Sequence, residues 1–210
     1  MTKVLIVDDH AIVREGLKQI LAEIPGMVVA GEATTGEEAL ETIESQYYDV
    51  VVLDISLPDM SGLEILKQIK ARHPQLVVLM LTIHPEEQYA VRVLKAGASG
   101  YLTKDTAPDE LAAAIKKVAE GGRYVSATLA EKLAFDLGPE AKVTPHESLS
   151  DREFEVLVMM ASGKNVTTIS EELHLSKKTI STYRRRILDK MGMETNAELI
   201  RYAVENELVE

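Results

Sequence analysis

The sequence contains no cysteine, which excludes disulfide staples and thiolate metal sites. Its five histidines show neither the H-x-x-H nor the H-x-x-x-H spacing of a zinc enzyme, so zinc catalysis is not expected. No unbroken apolar run approaches the roughly 18 residues that suggest a membrane span, and Asp8 and Asp9 interrupt any signal-like amino terminus. The expectation is a soluble, cytoplasmic protein with no membrane partner. Basic groups are outnumbered by acidic ones, 23 to 34. The net charge of minus 11 taken alone argues against nucleic acid, but the deficit is uneven. Residues 1–125 carry 12 basic and 19 acidic groups, a balance of minus 7. Residues 176–192 carry six basic groups (Lys177, Lys178, Arg184, Arg185, Arg186, Lys190) against Asp189, a balance of plus 5.

At 210 residues the chain is long enough for two domains. The first part reads as strands alternating with helices. Residues 3–7 make a buried strand ending at Asp8 and Asp9, and a helix follows through Ile12, Leu17, Ile20 and Leu21. Residues 27–30 make a second strand, and Thr35 with Glu38 signals the capping box of the next helix. Val50, Val51, Val52 and Leu53 form a continuous apolar run, as in a strand buried on both faces, and Asp54 follows at its carboxyl end. Pro58 and Gly62 end that loop. A fourth strand over residues 76–81 ends at Thr82, Pro85 opens a helix that Gly97 breaks, and a short fifth strand through Gly100, Tyr101 and Leu102 ends near Lys104. This alternation predicts an α/β fold, a five-stranded parallel doubly wound sheet with helices on both faces.

Right-handed crossovers put all the strand carboxyl ends on one edge. Asp8, Asp9, Asp54, Thr82 and Lys104 should therefore meet there despite their separation in sequence. Three carboxylates about 5 Å apart repel by roughly 3 kcal/mol per pair at an effective dielectric of about 20, so the cluster calls for a cation. Hard oxygen ligands suit Mg²⁺, which completes its shell with waters and phosphate oxygens. Lys104 supplies a charge for an anion and Thr82 a hydroxyl donor. Together they describe a phosphoryl-transfer site in which an aspartate can act as nucleophile. The competing reading is a structural acidic cluster neutralised by Lys104.

The motifs VDDH, VVLDISLPDMSG, MLTIH and GYLTK resemble the receiver domain of two-component response regulators, over residues 1–122. The resemblance implies a flavodoxin-like fold, Asp54 as phosphoacceptor, and Asp9 and Asp54 as direct Mg²⁺ ligands. It also implies Asp8 as a ligand through water, and the Ser56 carbonyl as the remaining protein ligand. Thr82 and Lys104 would contact the phosphoryl oxygens, and Tyr101 would be the aromatic that switches rotamer on activation. Asp105 stands where many receivers have proline, so a cis peptide is not expected there. A Mg²⁺-dependent phosphatase with an aspartyl-phosphate intermediate is the alternative, but it needs a D-x-D arrangement that Asp8-Asp9 does not offer.

Residues 123–145 loosen into a linker punctuated by Gly138, Pro139 and Pro145, with one short amphipathic piece through Leu129, Leu133 and Leu137. Residues 146–210 show no strand pattern. Ser150 and Glu153 open a helix through Phe154, Leu157, Val158 and Ala161 that stops at Gly163, and Val166, Ile169 and Leu173 give a second. Ser176 caps a third with Ile180, Tyr183, Ile187 and Met191 inward, and Thr195 with Glu198 opens a fourth through Leu199, Ile200 and Ala203. Two short helices, the second one basic, make a helix-turn-helix candidate. At about 100° per residue, the face opposite Ile180 and Ile187 carries Lys178, Thr182, Arg185 and Asp189, flanked by Ser181 and Arg186.

Residues 149–193 resemble the LuxR-type output domain, which with a receiver makes a NarL/FixJ-type regulator. By that resemblance Ser181, Thr182 and Arg185 face base edges, with Lys178, Thr179 and Arg186 on the phosphate backbone. The family's last helix serves dimerisation. Val166 to Thr168 replaces the usual N-K-E and Tyr183 the usual histidine. The implied function is a phosphorylation-controlled DNA-binding transcription regulator rather than an enzyme. Its implied partners are a histidine kinase, double-stranded DNA, a second copy of itself on activation, and RNA polymerase. A receiver with a protein-binding helical output is a further alternative.

Overall fold

The computed structural model describes residues 1–106, 108–127, 129–131 and 144–209, and of residue 87 the backbone only. The chain divides into two compact units, Met1–Glu131 and Lys132–Glu210.

In the first unit five strands, β1 (Thr2–Val7), β2 (Met27–Ala33), β3 (Val50–Leu53), β4 (Val77–Thr82) and β5 (Gly100–Thr103), alternate with five helices. The helices are α1 (Ala11–Ala22), α2 (Gly36–Ser45), α3 (Gly62–Arg72), α4 (Glu86–Lys95) and α5 (Pro108–Ala119). All strand pairs are parallel, in the order β2-β1-β3-β4-β5, which is the expected doubly wound, flavodoxin-like sheet. Side chains alternate across it. Val4, Ile6, Val50, Val52, Leu79, Leu81 and Leu102 share one cluster with Leu17 and Leu21 of α1 and with Leu111, Ile115 and Val118 of α5. The other face carries Leu5, Val7, Val51, Leu53 and Met80, all buried. Each such side chain gains roughly 1.5–3 kcal/mol by leaving water, and that core offsets the polar groups held at its edge.

Two expectations are corrected. β2 runs three residues beyond Ala30, and a register shift between Val4 and Leu5 of β1 accommodates the longer pairing. Gly31 and Glu32 are poor strand formers by propensity, but a Cβ on Gly31 would lie 2.2 Å from the Tyr48 hydroxyl, so the lack of a side chain lets Tyr48 close over the strand. Ile12 is not a core residue: it is 83% exposed. The stripe of α1 that meets the sheet runs through Val13, Leu17 and Leu21, about 100° round the helix from Ile12. No cis peptide bond occurs among the described residues.

Past α5 the chain returns to the sheet. Tyr124 forms an isolated parallel bridge with Gly100, and the Ser126 hydroxyl accepts the Leu129 amide. Residues 127 and 129–131 are helical and Leu129 is buried, while Leu133, Leu137, Gly138 and Pro139 lie outside the described residues.

Among its described residues the second unit has a 3-10 turn (Pro145–Ser148), four helices, α6 (Asp151–Ala161), α7 (Val166–Glu172), α8 (Lys177–Met191) and α9 (Asn196–Glu205), and no strand. Capping boxes form at Ser150 with Glu153, as expected, and at Thr195 with Glu198, whereas at Thr35 the hydroxyl accepts the Glu38 amide but the Glu38 carboxylate turns to Thr34. Ser176 caps α8, whose end is fixed by Gly192 at φ +66°. Phe154, Leu157, Ile169, Leu173, Ile180, Ile187, Met191 and Leu199 are buried, whereas Tyr183 is half-buried and Ile200 is exposed.

Glu153 ties two of these helices together, because its Oε2 accepts the Ser150 amide at 2.8 Å and meets the Lys190 Nζ of α8 at 2.6 Å. Burial alone would raise the carboxyl's pKa, but the Lys190 and Ser150 hydrogen bonds outweigh it and hold it below the usual glutamate value. A depressed carboxyl contributes stability that is present above its unfolded pKa and lost as pH falls through the folded one. Glu153→Gln should therefore lower amide-exchange protection of α6 at pH 7 by about tenfold, near the low end for a charge-assisted bond. The difference from the parent chain should vanish below the folded pKa of Glu153. An unchanged gap in strong acid would show that the charge is not what Lys190 recognises.

Candidate functional site

The parallel register sets the acidic pocket. Val7 pairs with Leu53, so Asp8 and Asp54 leave the sheet side by side, and Thr82 pairs with Thr103, one residue before Lys104. Asp8 and Asp54 are 2% exposed and Thr82 is fully buried. Lys104 Nζ bridges the two carboxylates, 2.7 Å from Asp8 Oδ2 and 2.7 Å from Asp54 Oδ2. The Ser56 amide donates to Asp54 Oδ1 at 3.3 Å. Burial pushes the Asp54 carboxyl above its ordinary pKa against the pull of Lys104. Burial acts downward on Lys104 too, yet Asp54 and Asp8 outweigh it and leave the ammonium above its usual value.

The loop after β3 is held by Gly62. A Cβ there would lie 2.0 Å from the Asp54 carbonyl oxygen, so only glycine lets α3 start this close to the phosphoacceptor candidate. Tyr101 is buried, and its hydroxyl donates to the His84 carbonyl at 2.9 Å. The ring thus lies inward, against the start of the segment that leads into α4.

Three nearby residues were missed by sequence reasoning. His10 Nδ1 lies 2.7 Å from Asp9 Oδ1 and 3.2 Å from Asp8 Oδ1. Arg14 donates to the Asp8 carbonyl at 2.8 Å. His84 Nε2 and Ser56 Oγ lie 2.9 Å apart, which joins the loops after β3 and β4. Only His10 had a legible signal, its place directly after the acid pair. The other two depend on contacts 6 and 28 residues apart.

On α8, Lys178, Ser181, Thr182, Arg185 and Arg186 are exposed and Thr179 is half-buried. The side-chain cations of Lys178, Arg185 and Arg186 have no ionic or hydrogen-bonded partner among the described residues. The Ser181 and Thr182 hydroxyls donate to the carbonyls of Lys177 and Lys178 at 2.9 Å, so they keep acceptor lone pairs and, in Thr182, a methyl to present outward. Two cations of the basic segment are turned to internal use. Arg184 donates to Asn196 Oδ1 at 2.6 Å and Lys190 pairs with Glu153.

Residues 4–116 match the response regulator receiver domain, and residues 147–203 match the luxR family of bacterial regulatory proteins. The chain is 39% identical to response regulator UvrY of Escherichia coli K12 over 209 residues, which cover 99% of this chain and 96% of UvrY. This chain is a response regulator. The regulator is likewise 39% identical over 211 residues to response regulator GacA of Pseudomonas syringae pv. syringae B728a, covering 100% of this chain and 99% of GacA. Its structure is similar to that of RcsB from Salmonella enterica serovar Typhimurium, solved bound to promoter rprA in the presence of the phosphomimetic BeF₃⁻. That match has a TM-score of 0.65 and 30% identity, over 96% of this chain and 97% of RcsB. A receiver followed by a luxR-type helix-turn-helix makes the regulator a NarL/FixJ-type, DNA-binding transcription regulator of a two-component system. A receiver implies a histidine kinase as its partner, and no helix among the described residues is long and apolar enough to cross a membrane.

The donor set of the regulator's pocket fits a divalent cation. Candidate ligand atoms of Asp8, Asp9, His10 and Asp54 lie within 4.8 Å of one another. Three carboxylates against the one ammonium of Lys104 leave two formal negative charges for the ion to balance.

Proposed function

We propose that Asp54 accepts a phosphoryl group from a histidine kinase or a small acyl phosphate, and that this modification controls DNA binding by residues 146–210. The observation that carries the reading is Asp54 itself, a buried carboxylate at the end of β3 bridged to Asp8 by Lys104. Mg²⁺ would be held by Asp9, Asp54 and the Ser56 carbonyl, with Asp8 acting through water, and when bound it supplies charge neutralisation of the phosphoryl oxygens. An Asp54 carboxylate oxygen attacks phosphorus, the bond from phosphorus to the donor's imidazole nitrogen breaks, and the imidazole leaves with a proton. Lys104 then gives up its bridge to Asp54 and, with the Thr82 hydroxyl, binds the phosphoryl oxygens.

Residues 1–122 form the receiver in this reading, 123–145 the linker and 146–210 the output domain. Ser181, Thr182 and Arg185 read base edges while Lys178, Thr179 and Arg186 hold the phosphate backbone. Two copies pair on activation through α9, each placing α8 in the major groove of one half-site. The protein is not an enzyme with a turnover substrate. It works in the cytoplasm, where bound DNA brings it to RNA polymerase. The RcsB complex, formed on promoter DNA with a phosphoryl mimic, supports coupling between the two sites.

Phosphorylation biases a pre-existing equilibrium, with Thr82 drawn to the phosphoryl group and Tyr101 held inward. Treating the full chain with a small acyl phosphate and Mg²⁺ should raise its affinity for operator DNA at fixed salt by about 5- to 150-fold, the usual range of coupling between sites. Equal affinity before and after modification would place the switch outside DNA binding.

A further inference from the structure

We propose that the segment opened by Tyr124 is a releasable strap on the edge of β5, and that modification of Asp54 lifts it through Tyr101 and Glu86. The inference rests on the reading of Asp54 as phosphoacceptor and adds a route by which that event reaches the chain beyond α5.

β5 is the last strand of the sheet, so its outer side finds no ladder partner among the five strands. Tyr124 takes that place. Its amide donates to the Ser99 carbonyl at 2.9 Å and its carbonyl accepts the Tyr101 amide at 3.2 Å, which makes the parallel bridge to Gly100. A Cβ on Gly100 would lie 2.7 Å from the Tyr124 carbonyl oxygen, so glycine at this point lets the segment approach. The Tyr124 ring is held by α5, with its hydroxyl donating to Glu110 Oε1 at 2.9 Å and Lys117 Nζ lying 5.6 Å from the ring centre. Ser126 reaches α4. Its hydroxyl donates to Glu86 Oε2 at 2.6 Å while accepting the Leu129 amide at 3.0 Å.

These attachments can open at little cost. Tyr124 pairs with β5 at one residue, whereas β4 pairs with it at four. Ser126 is exposed, so it loses little by exchanging Glu86 for water. Both anchors also answer to Tyr101. Its amide holds Tyr124, and its hydroxyl donates to the His84 and Pro85 carbonyls at 2.9 and 3.4 Å, directly before Glu86. The His84 amide in turn faces the Thr82 hydroxyl at 3.5 Å. When that hydroxyl turns to a phosphoryl oxygen, the segment leading into α4 shifts and carries Glu86 away from Ser126. Each residue released from Tyr124 onward adds up to about 3.3–3.6 Å to the chain connecting the two units, which widens the range over which two output domains can meet paired half-sites.

The test is amide exchange of the full chain, read at Tyr124 and Tyr101 before and after treatment with a small acyl phosphate and Mg²⁺. Modification should speed exchange of both amides by about tenfold, as loss of one charge-assisted bond would, with Val51 and Val52 of β3 unchanged. Glu86→Ala should speed them equally in the untreated chain. It should also raise affinity for a duplex, selected from a random-sequence pool by the parent, by at least about fivefold at fixed salt. Ser126→Ala removes the same bond from the other side and serves if the first variant loosens α4. The proposal is overturned if mass spectrometry finds Asp54 modified while Tyr124 keeps its protection. It is overturned equally if Glu86→Ala frees Tyr124 and leaves DNA affinity at the parent's value. A chain that takes no phosphoryl group at Asp54 would sink the reading of the phosphoacceptor instead, and the Glu86→Ala arm, which uses none, still decides the strap.

Discussion

Asp54→Asn should abolish incorporation of a phosphoryl group from either a kinase or a small acyl phosphate. An amide keeps the shape and one acceptor oxygen of the carboxylate but is a poor nucleophile, and its neutral oxygen forms no stable acyl phosphate. Neither neighbour can substitute. Asp8 is buried with Lys104 on one oxygen and the His10 amide on the other, and Asp9 is drawn outward against the His10 ring. Removing the charge also relaxes the pocket, because Lys104 loses one of its two carboxylates and should settle on Asp8 alone. Asp9→Asn is the informative companion. It leaves the nucleophile intact and should slow labelling by lowering cation affinity, about 10- to 100-fold if Asp9 behaves as other groups that support a metal site do. Excess chelator should reproduce the Asp54→Asn result in the parent chain.

The second large effect belongs to α8. Arg185→Ala should cost roughly 1–3 kcal/mol of specific DNA binding and relax the sequence preference at one position of each half-site, because an exposed, unpaired guanidinium can pair bidentately with guanine. Lys178→Ala should weaken all sequences about equally and lower the slope of affinity against salt by about one. Arg184 and Lys190 provide the internal control. They are as basic as the others, but Arg184 is bonded to Asn196 and Lys190 to Glu153, so their replacement should disturb the packing of α6, α8 and α9 before it changes any base preference. A titration in which Arg185→Ala binds every sequence as the parent does would remove α8 from the role of reader.

Much of this was legible in the chain because the strongest signals were the least local. β3 and β4 are buried on both faces, so their apolar runs are unbroken, and the parallel topology then brings Asp8, Asp54, Thr82 and Lys104 to one edge whatever their spacing. Helix starts were equally readable where Ser or Thr stood three residues before Glu, as at Ser150 and Thr195. The failures have physical reasons. The far end of β2 was hidden by Gly31 and Glu32, whose propensities oppose a strand that Tyr48 and the ladder with β1 nevertheless hold. Ile12 was read as core because it is apolar, but it lies off the stripe that meets the sheet. At α8 the count of positive charges overstated the surface offered to DNA, since charge alone does not reveal which cations serve neighbouring helices. His84 and Arg14 could not be found at all without the fold that sets them beside Ser56 and Asp8.

The most direct test of the account is to locate the modified residue. The full chain, treated with a small acyl phosphate and Mg²⁺, is reduced with borohydride, which converts an aspartyl phosphate to homoserine, and is then mapped by peptide mass spectrometry. Homoserine is expected at position 54 and nowhere else, and none when the ion is withheld. Homoserine at position 8 or 9, or equal modification without the cation, would contradict it.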